Sequence, residues 1–178
     1  MKNICLTFFL LLIPAALHAQ TADFIQTLLK TQAVSYEQAA RFVLEAADVS
    51  GPYNKANGQD AMRFAVEKKW LPKRAEAQDA ISMERLSLLI MRAFGLKGGL
   101  MYSIFHSAHY SYREMVFQDI IQGRSDPQME VSGYAMLLIV NRLLFRIEEN
   151  PWKIPAAAKK MTEARKNKNA EITLPENK

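Results

Sequence analysis

Cysteine is nearly missing from this chain: one occurs in 178 residues, Cys5, and it sits inside an apolar N-terminal segment. Everything downstream therefore lacks a thiol nucleophile, a disulfide, a cysteine-held metal and a cysteine-linked lipid, so a stable fold must rest on a hydrophobic core. Strand-like alternation of apolar and polar residues is almost absent too, which leaves an all-α fold class. No HExxH, no GxSxG and no glycine-rich phosphate loop is present, so no catalytic constellation is recognisable and neither an enzyme nor a cofactor is expected. From Gln20 to Asn150 there are fifteen basic and fifteen acidic side chains. A balanced segment of this kind offers no clustered basic face, and nucleic acid is not an expected partner.

What is present begins with "MKNICLTFFLLLIPAALHAQ", in which Lys2 precedes an apolar run from Ile4 to Leu17 and a short exit at His18 and Ala19. This has the charged start, apolar centre and small-residue end of a secretory signal peptide over residues 1–19, cut after Ala19. The run falls short of the roughly 20 residues that span a bilayer, so no transmembrane segment is expected after signal removal. Export to the periplasm or cell envelope follows. At the other end, residues 151–178 carry seven Lys or Arg against three Asp or Glu and read as a solvated basic tail.

Between them, residues 20–150 read as one helical domain. Phe24, Ile25, Leu28 and Leu29 mark a first apolar helix face, and Ala39, Ala40, Val43, Leu44 and Ala47 a second. Ser35 opens that second helix with Gln38 three residues on, the pattern of a capping box. A third helix is expected near Gln59–Lys69, stopped at "WLPKR" because Pro72 blocks continuation. A fourth follows in "AISMERLSLLIMRAF", stopped by "GLKGG"; another lies between Tyr110 and Ile121, and a long one from about Ser132 to Glu149.

These helices recur. "AISMERLSLLIMRAF" from Ala80 aligns without a gap on "EVSGYAMLLIVNRLL" fifty residues later, and the alignment extends back to pair Ala61 with Ser111. A third copy, "AVSYEQAARFVLEAA" from Ala33, matches at a spacing of 47. Val34, Ile81 and Val131 each precede a serine placed as an N-cap, where a hydrophobic staple belongs. The expected architecture is a pseudo-symmetric bundle of helix–loop–helix repeats of about fifty residues, two full and one partial.

This pattern, from about Ala33 to Phe145, resembles the S-layer homology module of bacterial envelope proteins, in which an "ITRAE"-like cap opens the second helix of each repeat and three repeats share one core. The corresponding residues here are "VSYEQ", "ISMER" and "VSGYA". The resemblance implies an envelope location and a non-enzymatic binding or scaffolding role toward a protein or cell-wall glycan. It does not carry over the family's cationic glycan contact, because Tyr36, Met83 and Gly133 stand where the ligand-holding Arg would be.

Candidate partner-binding residues are Trp70, Arg74, Tyr110, Tyr112 and Arg124. Trp70 and Arg74 fall in the loop of one repeat and Arg124 in that of the next, so the repeat would bring these loops to one end of the bundle. Aromatic rings with Arg stack on sugars or anchor protein partners, while Trp70 would equally serve to close the core between helices. The alternative function is a metal-dependent envelope enzyme using His106 and His109, whose i, i+3 spacing would give them one helix face. That site lacks a third ligand fixed by spacing, and the aromatic residues around it, Phe105, Tyr110 and Tyr112, suit a connecting segment packed on the core. The oligomeric state is left open by the sequence.

Overall fold

The structure, a computed structural model, describes residues 13–123 and 125–149. Most of the expected signal peptide, Arg124 and the basic tail lie outside these residues. The described residues form helices and no strands: α1 Ile13–Lys30, α2 Tyr36–Ala46, α3 Gly58–Glu67, α4 Met83–Ala93, α5 Leu100–Phe105, α6 Ala108–Phe117 and α7 Gly133–Glu149. α1 runs unbroken across Ala19.

Local chemistry explains where most of these helices start. The Ser35 hydroxyl accepts from the Gln38 N–H at 3.3 Å, and the Gln38 side chain accepts from the Ser35 N–H at 3.1 Å, closing the expected capping box on α2. Asn57 caps α3 through the N–H groups of Gln59 and Asp60, and the Ser132 hydroxyl accepts from Ala135 N–H at the start of α7. Ser82 occupies the same position before α4 but makes no side-chain cap bond.

The helix ends differ from the expectation at one instructive point. α3 stops at Glu67, well before Pro72, because Lys69 turns left-handed (φ 61°) and the Trp70 and Leu71 N–H groups both return to Ala65 O. Fifty residues on, Asp119 (φ 57°) ends α6 the same way, with Ile120 and Ile121 returning to Met115 O. α2 and α4 also share an ending at a spacing of 47: Asp48 and Gly95 are left-handed, and Val49 and Leu96 return to Leu44 O and Met91 O. A left-handed turn satisfies carbonyls that the helix end leaves open, so it terminates the helix without proline.

Packing joins each helix to another part of the chain. α3 and α4 both pack on α2, α6 packs on α4, α5 on α6, and α7 on α1. Small side chains are buried on both members of two of these pairings, Ala40 on α2 and Ala61 on α3, and Ser87 on α4 and Ser111 on α6. The two serines return their hydroxyls to the carbonyls of Met83 and Ser107 on their own helices, so their burial leaves no polar group open.

The segments before α2, α4 and α7 meet in the interior. The Ile81 N–H donates to Val34 O and the Val34 N–H to Val131 O, each at 2.8 Å. Tyr36 N–H reaches Asp79 O, and Met83 N–H reaches Met129 O in the same fashion. Isolated antiparallel bridges pair Ser35 with Ala80 and Ser82 with Glu130. Val34, Ile81 and Val131 are fully buried. Extended backbone in a core needs hydrogen-bond partners, and here much of it finds them in the neighbouring cap segment.

Close approach of α1 to α7 depends on Gly133. A Cβ there would overlap the carbonyl oxygen of Leu28 and lie 2.6 Å from the carbonyl carbon. The Gly133 N–H meanwhile donates to Thr31 O at 2.9 Å. From the same helix, Leu28 is fully buried, whereas Leu29, expected on the core face, is exposed. The Arg41 guanidinium stacks on the Phe24 ring with its centre 3.9 Å from the centroid, joining α2 to α1.

Candidate functional site

Of the five residues singled out from the sequence, Arg124 lies outside the described residues, and the other four occupy unlike environments. Trp70 is half-buried and meets the Phe64 ring edge-on at 6.0 Å, and Phe64 in turn packs on Tyr53 at 4.7 Å. Trp70 thus continues an aromatic row from α3. It corresponds to Ile120, a buried residue fifty positions on. Arg74 is exposed and makes no ion pair among the described residues. The Tyr112 hydroxyl donates to Ser125 O at 2.9 Å and ties α6 to the loop before α7. Tyr110 stacks on Phe105 at 5.3 Å. Trp70 therefore packs along α3, while Tyr110 and Tyr112 sit on α6.

These placements separate fold from surface in a measurable way. Trp70→Ala is expected to lower stability by about 2 kcal/mol, since it removes much of a half-buried aromatic side chain. Arg74→Ala is expected to stay within about 0.5 kcal/mol. Denaturant unfolding of the two variants checks both values.

His106 and His109 do not share a helix face. His106 ends α5 in a left-handed turn (φ 47°), Ser107 caps the next helix, and His109 lies in the first turn of α6. His106 meets the Tyr102 ring edge-on and His109 meets Tyr110. Among the described residues no three His, Asp, Glu or Cys side chains are grouped as a metal site would need.

The segment around this pair also departs from the expected core-packed connection. Residues 100–105 are a helix, too short for periodicity to reveal, and only Tyr102 of its side chains is buried. Leu100, Met101, Ile104 and Phe105 are 76%, 51%, 60% and 58% exposed. On α6, the helix beneath it, Phe117 is exposed as well. Isolated apolar residues on a surface are ordinary, but four large ones on a six-residue helix form a patch of the kind that marks an interaction site.

Burial raises the Tyr102 hydroxyl above the ordinary tyrosine value of 10.0, against a smaller opposing influence of the Arg92 charge. Tyr36 is also raised, by burial first and by Asp79 and Glu84, while Arg85 opposes. Burial likewise raises Tyr53, helped by Asp48 and Glu45. In each case the folded chain holds its proton more tightly than the unfolded chain. The resulting stability is fully present below about pH 10 and is lost as pH climbs through the raised folded values. Unfolding measured from pH 8 upward should show a decline beginning near pH 10, shallower in Tyr102→Phe.

A cavity of about 170 Å³ opens beside the C-terminal ends of α4, α6 and α7, lined by Met91, Met115, Leu143, Ile147 and several polar residues. A broader hollow lies along α3, between Met62 and Val66 on one side and Ala75 and Ala77 on the other. No described helix is long and apolar enough to cross a membrane. No protein-family model, no curated protein and no solved structure matches the chain.

Proposed function

We propose that this is an exported, non-enzymatic cell-envelope protein, a helical scaffold of two full and one partial S-layer-homology-like units that binds a protein or cell-wall partner through the face of α5. The exposed apolar side chains of α5 carry the binding half of this reading, because a folded surface gains nothing from leaving Leu100, Ile104 and Phe105 in water unless something covers them. The scaffold half is supported by bonds that recur at spacings of 47 and 50 residues: the left-handed helix ends at Asp48 and Gly95 and at Lys69 and Asp119, and the cap-segment bonds of Tyr36 and Met83.

The position of the family's ligand-holding Arg takes three different uses in this chain. Tyr36 is half-buried among Arg85, Asp79 and Glu84, Met83 is buried in the core, and Gly133 lies against the backbone of α1. None of the three presents a cation, and in this reading recognition falls to α5.

Capture of the purified chain by envelope fractions tests this directly. The double variant Ile104→Asp with Phe105→Asp should lose at least tenfold in capture while unfolding at the same denaturant concentration. Equal capture of the variant and the native chain would contradict the assignment to α5.

A further inference from the structure

The last turn of α7 lines the cavity beside the C-terminal ends of α4 and α6. Arg146 and Ile147 come from that turn, and Met91, Leu96, Met115 and Leu143 stand with them. The floor is apolar, with Met91, Met115, Leu143 and Ile147 all buried. The rim is balanced in charge, because Lys97 and Arg146 stand there with Glu114 and with Asp119, which Arg146 approaches at 3.7 Å. Such a rim over such a floor draws no ion, and it suits a neutral, largely apolar occupant.

The sequence supplies such a group within reach. Past Glu149, where α7 ends, the chain reads Asn150, Pro151, Trp152, and Pro151 both disfavours helix for Asn150 and blocks continuation of α7. Trp152 follows Ile147 by five residues, a span of at most about 18 Å. It is the only aromatic residue from there to Lys178. Size agrees as well: an apolar protein cavity of about 150 Å³ is known to hold benzene, and this one measures about 170 Å³ and is open at its rim. We propose that the chain's own segment 151–155 occupies this cavity, with the Trp152 indole seated on Met91, Met115 and Leu143. The closure ties the end of α7, a helix packed on α1, to α4 and α6. The rim carboxylates supply acceptors for the indole N–H. None of the exposed α5 side chains lines this cavity, so the segment leaves the partner surface proposed above open.

Methyl NMR of the full chain tests the assignment. Trp152→Ala is expected to shift the methyl signals of Met91, Met115 and Leu143, through loss of the ring current, and to leave Met62, in the hollow along α3, in place. In a Trp70→Phe background, where Trp152 is the one remaining tryptophan, its fluorescence should be quenched by acrylamide at least threefold more slowly than that of a peptide of residues 150–178. Methyl signals unchanged by Trp152→Ala, shifts at Leu100 and Ile104 in place of the cavity, or quenching as fast as in the peptide would overturn the proposal. Shifts that disappear on dilution would overturn it too, since the occupant would then be the segment of a second copy.

Discussion

Gly133→Ala is expected to destabilise the fold by about 3 kcal/mol or more, the upper range for forcing atoms into a packed interior. The added methyl would occupy the space of the Leu28 carbonyl, which belongs to backbone and not to a side chain able to turn away. Relief requires α1 to move off α7, and that movement pulls the Gly133 N–H from Thr31 O and uncovers the fully buried Leu28 side chain. In an exposed helix the same exchange would stabilise by up to about 1 kcal/mol through propensity, so the expected sign is opposite to the local preference. Denaturant unfolding decides it, with Tyr134→Ala, one residue on and exposed, as a comparison expected within about 0.5 kcal/mol. A Gly133→Ala chain as stable as the native one would mean that α1 does not pack against the start of α7.

Ile81→Ala should cost about 3 kcal/mol for a different reason. The Ile81 side chain is fully buried where the segments before α2, α4 and α7 meet, and its N–H donates to Val34 O. Alanine keeps the backbone bond and removes only the side-chain volume, so the loss measures how well the surrounding core is filled. Unfolding should remain a single transition, because Val34 and Val131 flank the same point from other parts of the chain. A change below about 1 kcal/mol would show that the three segments do not share one core.

The helical class and the starts of α2 and α7 were legible because each rests on local chemistry. Ser35 with Gln38 is a capping box in sequence and in space, and Ser132 caps as its position suggested. Ser82 shows the limit of that logic, since a cap position does not by itself make a cap bond. Helix ends were harder. Pro72 looked like the stop of α3, but the chain had already turned at Lys69, a residue whose composition gives no hint of a left-handed backbone. Gly133 read as a missing Arg in a repeated cap, and its reason is tertiary: the backbone of another helix occupies the place of its side chain.

The surface features were less legible still. α5 spans six residues, less than two helical turns, so no apolar periodicity could announce it, and its Phe105 was read as part of a segment packed on the core. The histidines were assigned a common face on the premise of one continuous helix, which the turn at His106 breaks. Trp70 drew notice as a partner-binding aromatic that would equally close the core between helices, and in the structure it meets Phe64 edge-on. The cavity draws Met91, Met115 and Leu143 from three helices, and only tertiary packing brings them together.

Site-specific photo-crosslinking in cells from position 105, compared with position 63 on the exposed side of α3, tests the central functional claim most directly. The account predicts a discrete crosslinked species from position 105 in the envelope fraction and none from position 63. Crosslinks of equal yield from both positions, or none from position 105, would contradict it.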